Sequence, residues 1–177
     1  MGRCWLEIYR GNGPAAWEVI ERHWNLLRKN MYHLLENLAI YLGEARGRAA
    51  LLMAEQCVAD GKDPAPYLKE ARADARRLLR KKLAHGPVMG TVVQAGVEAI
   101  EGNRAGAIAL LERAVRDYES LGQGMLANTA KRRLGQLRDD AKGAGLVSEA
   151  ELWLQQEGVV DIEAITRFHA CGLSAVR

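Results

Sequence analysis

Two alanines seven residues apart, Ala107 and Ala114, lie among leucines in the stretch from Val97 to Gly122. An alanine inside an apolar helical stripe marks a place where another helix comes close, and the seven-residue spacing keeps both on one face. Gly102 precedes them, and glycine commonly ends a helix with a left-handed turn. The stretch therefore predicts a close-packed helical hairpin with its turn at Gly102.

The same pattern extends along the chain, because glycine-containing turns separate segments whose apolar residues recur with helical spacing. Helix-forming residues dominate, and the chain has only one phenylalanine and four prolines. We therefore expect an all-α fold, a right-handed α-solenoid of antiparallel helical hairpins. The spacing predicts one long helix within residues 31–60. It also predicts short helices over 148–156 and 161–170, with Ser148 and Asp161 as N-caps.

Two segments 91 residues apart resemble each other. Aligning "YRGNGPAAWEVIERHW" with "IEGNRAGAIALLERAV" superposes Gly11 on Gly102 and Asn12 on Asn103. Repetition of a turn-plus-helix unit is typical of α-solenoids, in which each hairpin is buried against its neighbours. The internal repeat therefore supports the solenoid prediction.

Length and composition limit the class of protein. A chain of 177 residues with 49% apolar and 27% charged residues is typical of one ordinary globular domain. A net charge of +3 gives no global reason to expect a nucleic-acid or membrane partner. Three cysteines without a CxxC pair favour free thiols. We find no signal-peptide or membrane-spanning run, so a cytoplasmic location is expected.

Two features resemble known repeat proteins. The hairpin with its turn at Gly102 resembles a tetratricopeptide repeat. The matching positions are Ala95, Gly102, Ala107, Leu111 and Ala114. The order of segments from "IYRGNGPAAWEVIERHWNLLRKN" to "EAELWLQQEGVVDIEAITRFHACGL" resembles the C-terminal tetratricopeptide-like helical-repeat region of bacterial multidomain serine/threonine protein kinase/ATPase regulators.

The resemblance implies one helical-repeat domain over residues 1–177, in which 146–177 form short helices and a tail, at the C-terminal end of a longer architecture. It also implies a protein-interaction or scaffold module in bacterial signalling. The sequence has no glycine-rich nucleotide loop, HRD-like loop or DFG. We therefore expect no kinase or ATPase activity in this chain, no catalytic residue and no cofactor or metal.

Several side chains are candidates for contact with a partner. Four cations between residues 69 and 80 have helical spacing that predicts one basic ridge: Lys69, Arg72, Arg76 and Arg80. This ridge is the alternative site, for nucleic acid or a regulatory ligand, although the favoured explanation is ordinary solvated surface, in which long basic side chains extend over the edge of the core and Glu70 and Asp74 offset their charge. The cations at 131–133 are interpreted as solvated surface.

The N-terminal helix is expected to expose Trp5 and Tyr9, next to Trp17 and Trp24, where a preceding domain or a second copy of the chain would bind. His169 and Cys171 are two residues apart, which is poor spacing for a ligand pair on a helix, and they lie near an end that is expected to fray. The expected partner is thus a protein helix or peptide in a groove, and neither nucleic acid nor a membrane is favoured.

Overall fold

The computed structural model describes residues 2–30, 35–138 and 140–173. In these ranges the chain forms nine α-helices and no strand, which confirms the all-α prediction. The helices are α1 (Gly2–Arg10), α2 (Gly13–Lys29), α3 (Glu36–Ala59), α4 (Ala65–Leu78), α5 (His85–Ile100), α6 (Arg104–Ser120), α7 (Gly124–Arg138), α8 (Ala141–Gln156) and α9 (Ile162–His169).

The helices pack mainly in the order of the sequence. Each of α1 to α7 contacts the helix that follows it, and α3 also contacts α1 and α5. The last helix departs from this order, because α9 packs chiefly against α1 and α7. In a simple linear stack each unit contacts only its neighbours. The contact between α1 and α9 therefore joins the first and last helices that the structure describes.

Five connections use the same turn. A glycine with positive φ follows the helix, and the N–H of the next residue donates to the carbonyl five residues back. This is the Schellman geometry, which satisfies carbonyls at a helix end and favours glycine because of its missing Cβ. The five glycines are Gly11, Gly61, Gly102, Gly122 and Gly158.

The two similar segments fold alike. Asn12 Oδ1 accepts a hydrogen bond from the backbone N–H of Ala15 (3.2 Å), and Asn103 Oδ1 accepts one from Gly106 (3.1 Å). Each asparagine therefore follows its turn glycine and caps the next helix. The repeat found in the sequence is thus also a repeat of turn geometry.

Ala107 and Ala114 are completely buried on α6, together with Leu111 and with Ala95 of α5. We expect Ala107→Leu and Ala114→Leu each to lower the free energy of unfolding by about 1–3 kcal/mol, because extra methyl groups must be forced into a packed contact. Ala109→Leu, at an exposed position of the same helix, is the control. Urea unfolding measures all three. Equal midpoints for the buried and exposed substitutions would contradict the close contact.

The start of α8 differs from the prediction. Asp140 is the N-cap, and its Oδ1 accepts from the N–H of Gly143. Ser148 therefore lies inside the helix, where its hydroxyl donates to the carbonyl of Ala144. A Cβ on Gly143 would lie 2.5 Å from the carbonyl oxygen of Gly135 on α7. Close packing of α7 on α8 thus explains why a glycine is present inside this helix at position 143.

The long helix predicted within 31–60 is α3, which begins at Glu36, and residues 31–34 lie outside the described ranges. At the C-terminus Asp161 is the N-cap of α9, as predicted, and its Oδ1 accepts from the N–H of Ala164 (2.8 Å). The expectation of a frayed end at residues 169–171 is wrong. Cys171 is buried, because the segment lies against α3 and α5.

Candidate functional site

An open groove of about 600 Å³ lies between α2 and α4. Ala39 and Leu42 of α3 form its floor, while Trp24 and Leu27 of α2 and Leu78 of α4 form its walls. These side chains are apolar, and Trp24 and Leu27 remain partly exposed to solvent. The groove therefore offers an apolar surface of the kind that buries part of a ligand or of a partner protein.

The rim of the groove carries positive charge. Lys29 at the end of α2 and Arg77 on α4 are exposed, and Lys81 lies just beyond α4. Asp74 is the acidic lining residue, and its carboxylate bonds to Arg77 and to Arg46. Because that carboxylate is already neutralised, the rim favours a partner with acidic groups around an apolar centre.

Arg46 of α3 holds the walls of the groove in place. Its guanidinium bonds to Glu21 of α2 (2.7 Å) and to Glu70 and Asp74 of α4 (both 2.8 Å). The side chain is almost completely buried, so these charge-assisted bonds are shielded from water. One arginine therefore ties three helices together behind the groove.

Two tryptophans enclose the same guanidinium. Its central carbon lies 5.1 Å from the ring centre of Trp17 and 4.8 Å from that of Trp24, within the range of cation–π attraction. Trp17 also packs edge-on against Tyr67 of α4. Trp17 thus lies behind the groove, whereas Trp24 contacts Arg46 and also forms part of a groove wall. The prediction that they continue the surface around Trp5 is wrong.

This cluster is not predicted from the sequence, although the residues carry a signal for it. Trp17, Glu21 and Trp24 have the spacing of one helical face, and Glu70 and Asp74 are four residues apart on α4. Glu70 pairs with Arg46 of α3, and Asp74 pairs with Arg46 and with Arg77. Arg46 of α3 joins the face of α2 to the face of α4. Its position between these two helices depends on how α3 packs, which the local sequence does not show.

The predicted basic ridge is only partly assembled. Lys69 and Arg76 are exposed on α4, whereas Arg80 lies beyond the end of the helix and Arg72 forms an ion pair with Glu101. Within the described ranges, Lys69, Arg76 and Arg80 form no ion pair. The ridge therefore contributes three cations that have no ion-pair partner in the part of the chain that the structure describes.

Glu36 at the start of α3 fixes the turn that follows α4. Its Oε1 accepts from the backbone N–H groups of Lys82 (2.6 Å) and Leu83 (3.2 Å). The hydrogen bond from Lys82 is the largest cause of a lowered pKa for Glu36. This contact holds the neighbouring Lys81 near the groove.

Trp5 and Tyr9 on α1 are each a little more than one third exposed. Tyr9 is partly covered, because its ring packs edge-on against Phe168 of α9 with the ring centres 6.3 Å apart. Leu6 is also exposed on this helix. The predicted apolar surface on α1 is therefore present but smaller than expected.

The cations at 131–133 are not free surface, contrary to the prediction. Lys131 bonds to Glu119 and Glu149, on α6 and α8 respectively. Arg132 and Arg133 both bond to Glu163 of α9, and Arg133 is buried. No local signal shows this pairing, because Glu163 lies about 30 residues further along the sequence.

The thiols of Cys4 and Cys171 have environments unsuited to nucleophilic chemistry. Burial raises the pKa of Cys4 to about 11 and that of Cys171 to about 12. Both thiols therefore stay protonated near neutral pH, whereas the thiolate is the reactive form. In the described part of the chain, no group of three or more His, Cys, Asp or Glu residues is placed to hold a metal ion.

His169 makes the stability of the fold dependent on pH. Burial, and then the neighbouring cation of Arg48, lower its pKa from 6.5 to about 3. Glu44, also buried on α3, pairs with Arg48. Below about pH 6.5 the unfolded chain binds a proton at this histidine that the folded chain does not bind. Stability contributed by neutral His169 therefore falls as the pH falls from 6.5 towards 3.

We predict that His169→Gln flattens the acid side of the stability curve. The difference in free energy of unfolding between wild type and variant should change by at most about 1.4 kcal/mol per pH unit, which is the limit for the uptake of one proton. Urea unfolding at pH 7.5, 6.0 and 5.0 measures it. Parallel curves would show that His169 is protonated equally in the folded and unfolded chains.

No protein-family model, curated protein or solved structure matches this chain. The resemblance to the helical-repeat region of bacterial kinase/ATPase regulators therefore stays a prediction. None of the helices in the described ranges has the length and apolar character needed to cross a bilayer.

Proposed function

We propose that this chain is a non-catalytic protein-interaction module, a scaffold of tetratricopeptide-like hairpins in a bacterial signalling or regulatory system of the cytoplasm. The observation that carries the proposal is the apolar groove between α2 and α4 with its cationic rim of Lys29, Arg77 and Lys81. The repeated glycine turns and the mainly sequential packing of helices support the solenoid architecture. The module requires no cofactor.

The chemistry of the groove favours an amphipathic helix with acidic flanks. The apolar face of such a helix would be buried chiefly against Trp24 and Leu27, because Leu42 and Leu78 are already almost completely buried. Its carboxylates would meet the rim lysines. Trp24 lies at the wall, where a partly exposed aromatic side chain commonly contributes much of the binding energy. Arg46 and its carboxylates keep the groove open before the partner binds, which lowers the cost of ordering it.

The test uses two display libraries of amphipathic helical peptides that share one apolar face. One library has acidic flanks and the other has basic flanks. We expect the acidic library to be enriched on the wild-type protein, with affinities about tenfold or more above the basic one. Lys29→Glu combined with Lys81→Glu should abolish or reverse this preference. Fluorescence anisotropy of selected peptides gives the dissociation constants.

The matched control is Arg116→Glu combined with Lys142→Glu, because both residues are exposed, lie on α6 and α8 and give the same change in net charge. This control should bind the acidic peptides like the wild type. Equal binding of both libraries by all three proteins would refute the groove as the interaction site.

The second candidate function is nucleic-acid or regulatory-ligand binding at the basic ridge. The cations of Lys69, Arg76 and Arg80 favour it. A labelled DNA duplex of random sequence would then bind with an affinity that falls steeply with salt. Arg76→Glu combined with Arg80→Glu would abolish that binding while circular dichroism stays helical. If the duplex does not bind, or binds with an affinity that does not depend on salt, the ridge is ordinary solvated surface.

A further inference from the structure

The last described residues, 162–173, lie across four helices far from them in sequence. We call these residues the closing segment, and we call the surface of α1, α3, α5 and α7 beneath them the inner face. The closing segment contains α9 and the turn that follows it. It contacts the inner face as a bound peptide would. One charged side chain and one aromatic side chain serve as anchors, and its backbone comes close to that of α5.

The charged anchor lies in the first turn of α9. Glu163 accepts from Arg132 Nη1 at 2.6 Å and from Arg133 Nη2 at 2.7 Å, so that each carboxylate oxygen binds a different arginine of α7. Arg133 is buried, whereas the Glu163 side chain is 46% exposed. The inner face thus contributes two arginines that together bind one carboxylate of the closing segment. Charge-assisted pairs of this kind confer specificity as well as affinity.

The aromatic anchor is Phe168, five residues after Glu163. The guanidinium carbon of Arg48 on α3 lies 5.1 Å from the centre of its ring, and Tyr9 of α1 packs against the ring edge. The neighbouring Arg167 donates from Nη2 to the backbone carbonyl of Tyr9 at 3.0 Å. Both ends of this eight-residue helix are therefore fixed by helices other than its neighbour in sequence.

The backbone of the closing segment approaches α5 at a glycine. A Cβ placed on Gly96 would lie 2.6 Å from the carbonyl oxygen of Cys171 and 2.7 Å from Leu51 Cδ1. Gly172 has φ of +80°, a conformation that side chains disfavour, and its own Cβ position lies 3.0 Å from Gly96 Cα. The two glycines therefore form a notch that accepts a backbone and no side chain.

The closing segment is attached by a link with few contacts. α9 packs only weakly on α8, and Val160 in the link is completely exposed. An eight-residue helix is marginal by itself, so α9 depends on the inner face for its helicity. The surface beneath it includes the ionic groups Glu44, Arg48 and Arg133. It also includes apolar core side chains, against which Ala170, Cys171 and Leu173 are buried.

We propose that the inner face is a binding site for a short helix that carries a carboxylate and, five residues later, an aromatic ring, and that the closing segment is its intramolecular occupant. A partner protein with a helix of this chemistry displaces the closing segment. The inference rests on the proposed interaction function for its biological use, but it concerns a surface separate from the groove between α2 and α4.

The experiment uses the full chain with a protease recognition site in place of residues 158–160. After cleavage, a fluorescent synthetic peptide of residues 161–173 is added, and binding is followed by anisotropy. We expect the cleaved fragment to stay associated at first and to exchange with the peptide. The uncleaved protein should bind the same peptide at least about 100-fold more weakly, because its own segment competes at an effective concentration in the millimolar range.

Peptides with Glu163→Lys or Phe168→Ala should each lose about tenfold or more in affinity, and a scrambled peptide should not bind. Gly96→Ala in the full chain should increase hydrogen exchange within 162–173. Gly90→Ala is the matched control, because its added methyl group would meet Leu78 and Ala75 of α4, away from the closing segment. It should lower the melting temperature without a selective increase of exchange in that segment.

Three results would overturn the proposal. In the first, the fragment does not exchange with the peptide. In the second, exchange of the fragment abolishes the cooperative unfolding of residues 1–157, so the segment is part of the core. In the third, light scattering shows a concentration-dependent dimer of the uncleaved chain that Glu163→Lys abolishes, which would assign the site to a second copy. None of these results affects the peptide-library test of the groove, so the two proposals fail independently.

Discussion

Replacement of Arg46 by alanine should lower the free energy of unfolding by about 3–5 kcal/mol, the cost of breaking a buried ion pair by removing one partner. Asp74 is completely buried, and it would keep only Arg77 as a partner. Glu21 and Glu70 would face each other across the space that the guanidinium occupied. The loss combines an uncompensated buried charge with a cavity between α2, α3 and α4.

The measurement is urea unfolding, followed by far-ultraviolet circular dichroism and by tryptophan fluorescence. Fluorescence is informative because Trp17 and Trp24 both lie against the cation that is removed. The control is Arg72→Ala, whose ion pair with Glu101 is about one third exposed and should contribute at most about 1 kcal/mol. If the two substitutions cost the same, Arg46 does not hold the three helices together.

The second large effect is expected at the Glu44–Arg48 pair of α3. Both side chains are buried, and Arg48 Nη2 bonds to Glu44 Oε1. Arg48→Met should cost about 3–5 kcal/mol, because the carboxylate of Glu44 is left in the core without its cation. Burial already raises the pKa of Glu44, and Arg48 opposes that rise. The loss in Arg48→Met should therefore shrink as the pH is lowered and Glu44 becomes protonated.

A double-mutant cycle separates the pair from the other contacts of Arg48. Glu44→Gln combined with Arg48→Met should recover part of the stability lost in Arg48→Met, because no unpaired charge remains. Recovery is incomplete, since the contact of Arg48 with Phe168 is lost in both variants. Glu18 and Arg22 of α2 have the same four-residue spacing but are about two thirds exposed. Arg22→Met, the matched control, should cost about 0.5 kcal/mol or less. A similar cost for Arg48→Met would contradict the buried pair.

Features of the local chain were predictable from the sequence. The turn at Gly102, the cap at Asn103 and the burial of Ala107 and Ala114 all follow from residues within one hairpin. Such features depend on backbone conformation and on helical period, which act over a few residues. The two candidate sites were not predictable in the same way. Each joins residues from several helices, and their charged members had simpler explanations as exposed surface.

The helical character of this chain and several of its turns follow from the local sequence alone. Glycine at positive φ, asparagine or aspartate caps and helical apolar spacing are local properties that hold in any packing. The tertiary structure alone decided where Arg46 and Arg48 find carboxylates and why Gly143 is helical. It also decided that α9 returns to α1 and α7. Burial is the physical reason. On an isolated helix a charged residue stays solvated and a glycine touches nothing, whereas in the folded protein the neighbouring helix decides whether the charge is paired and whether a side chain would fit.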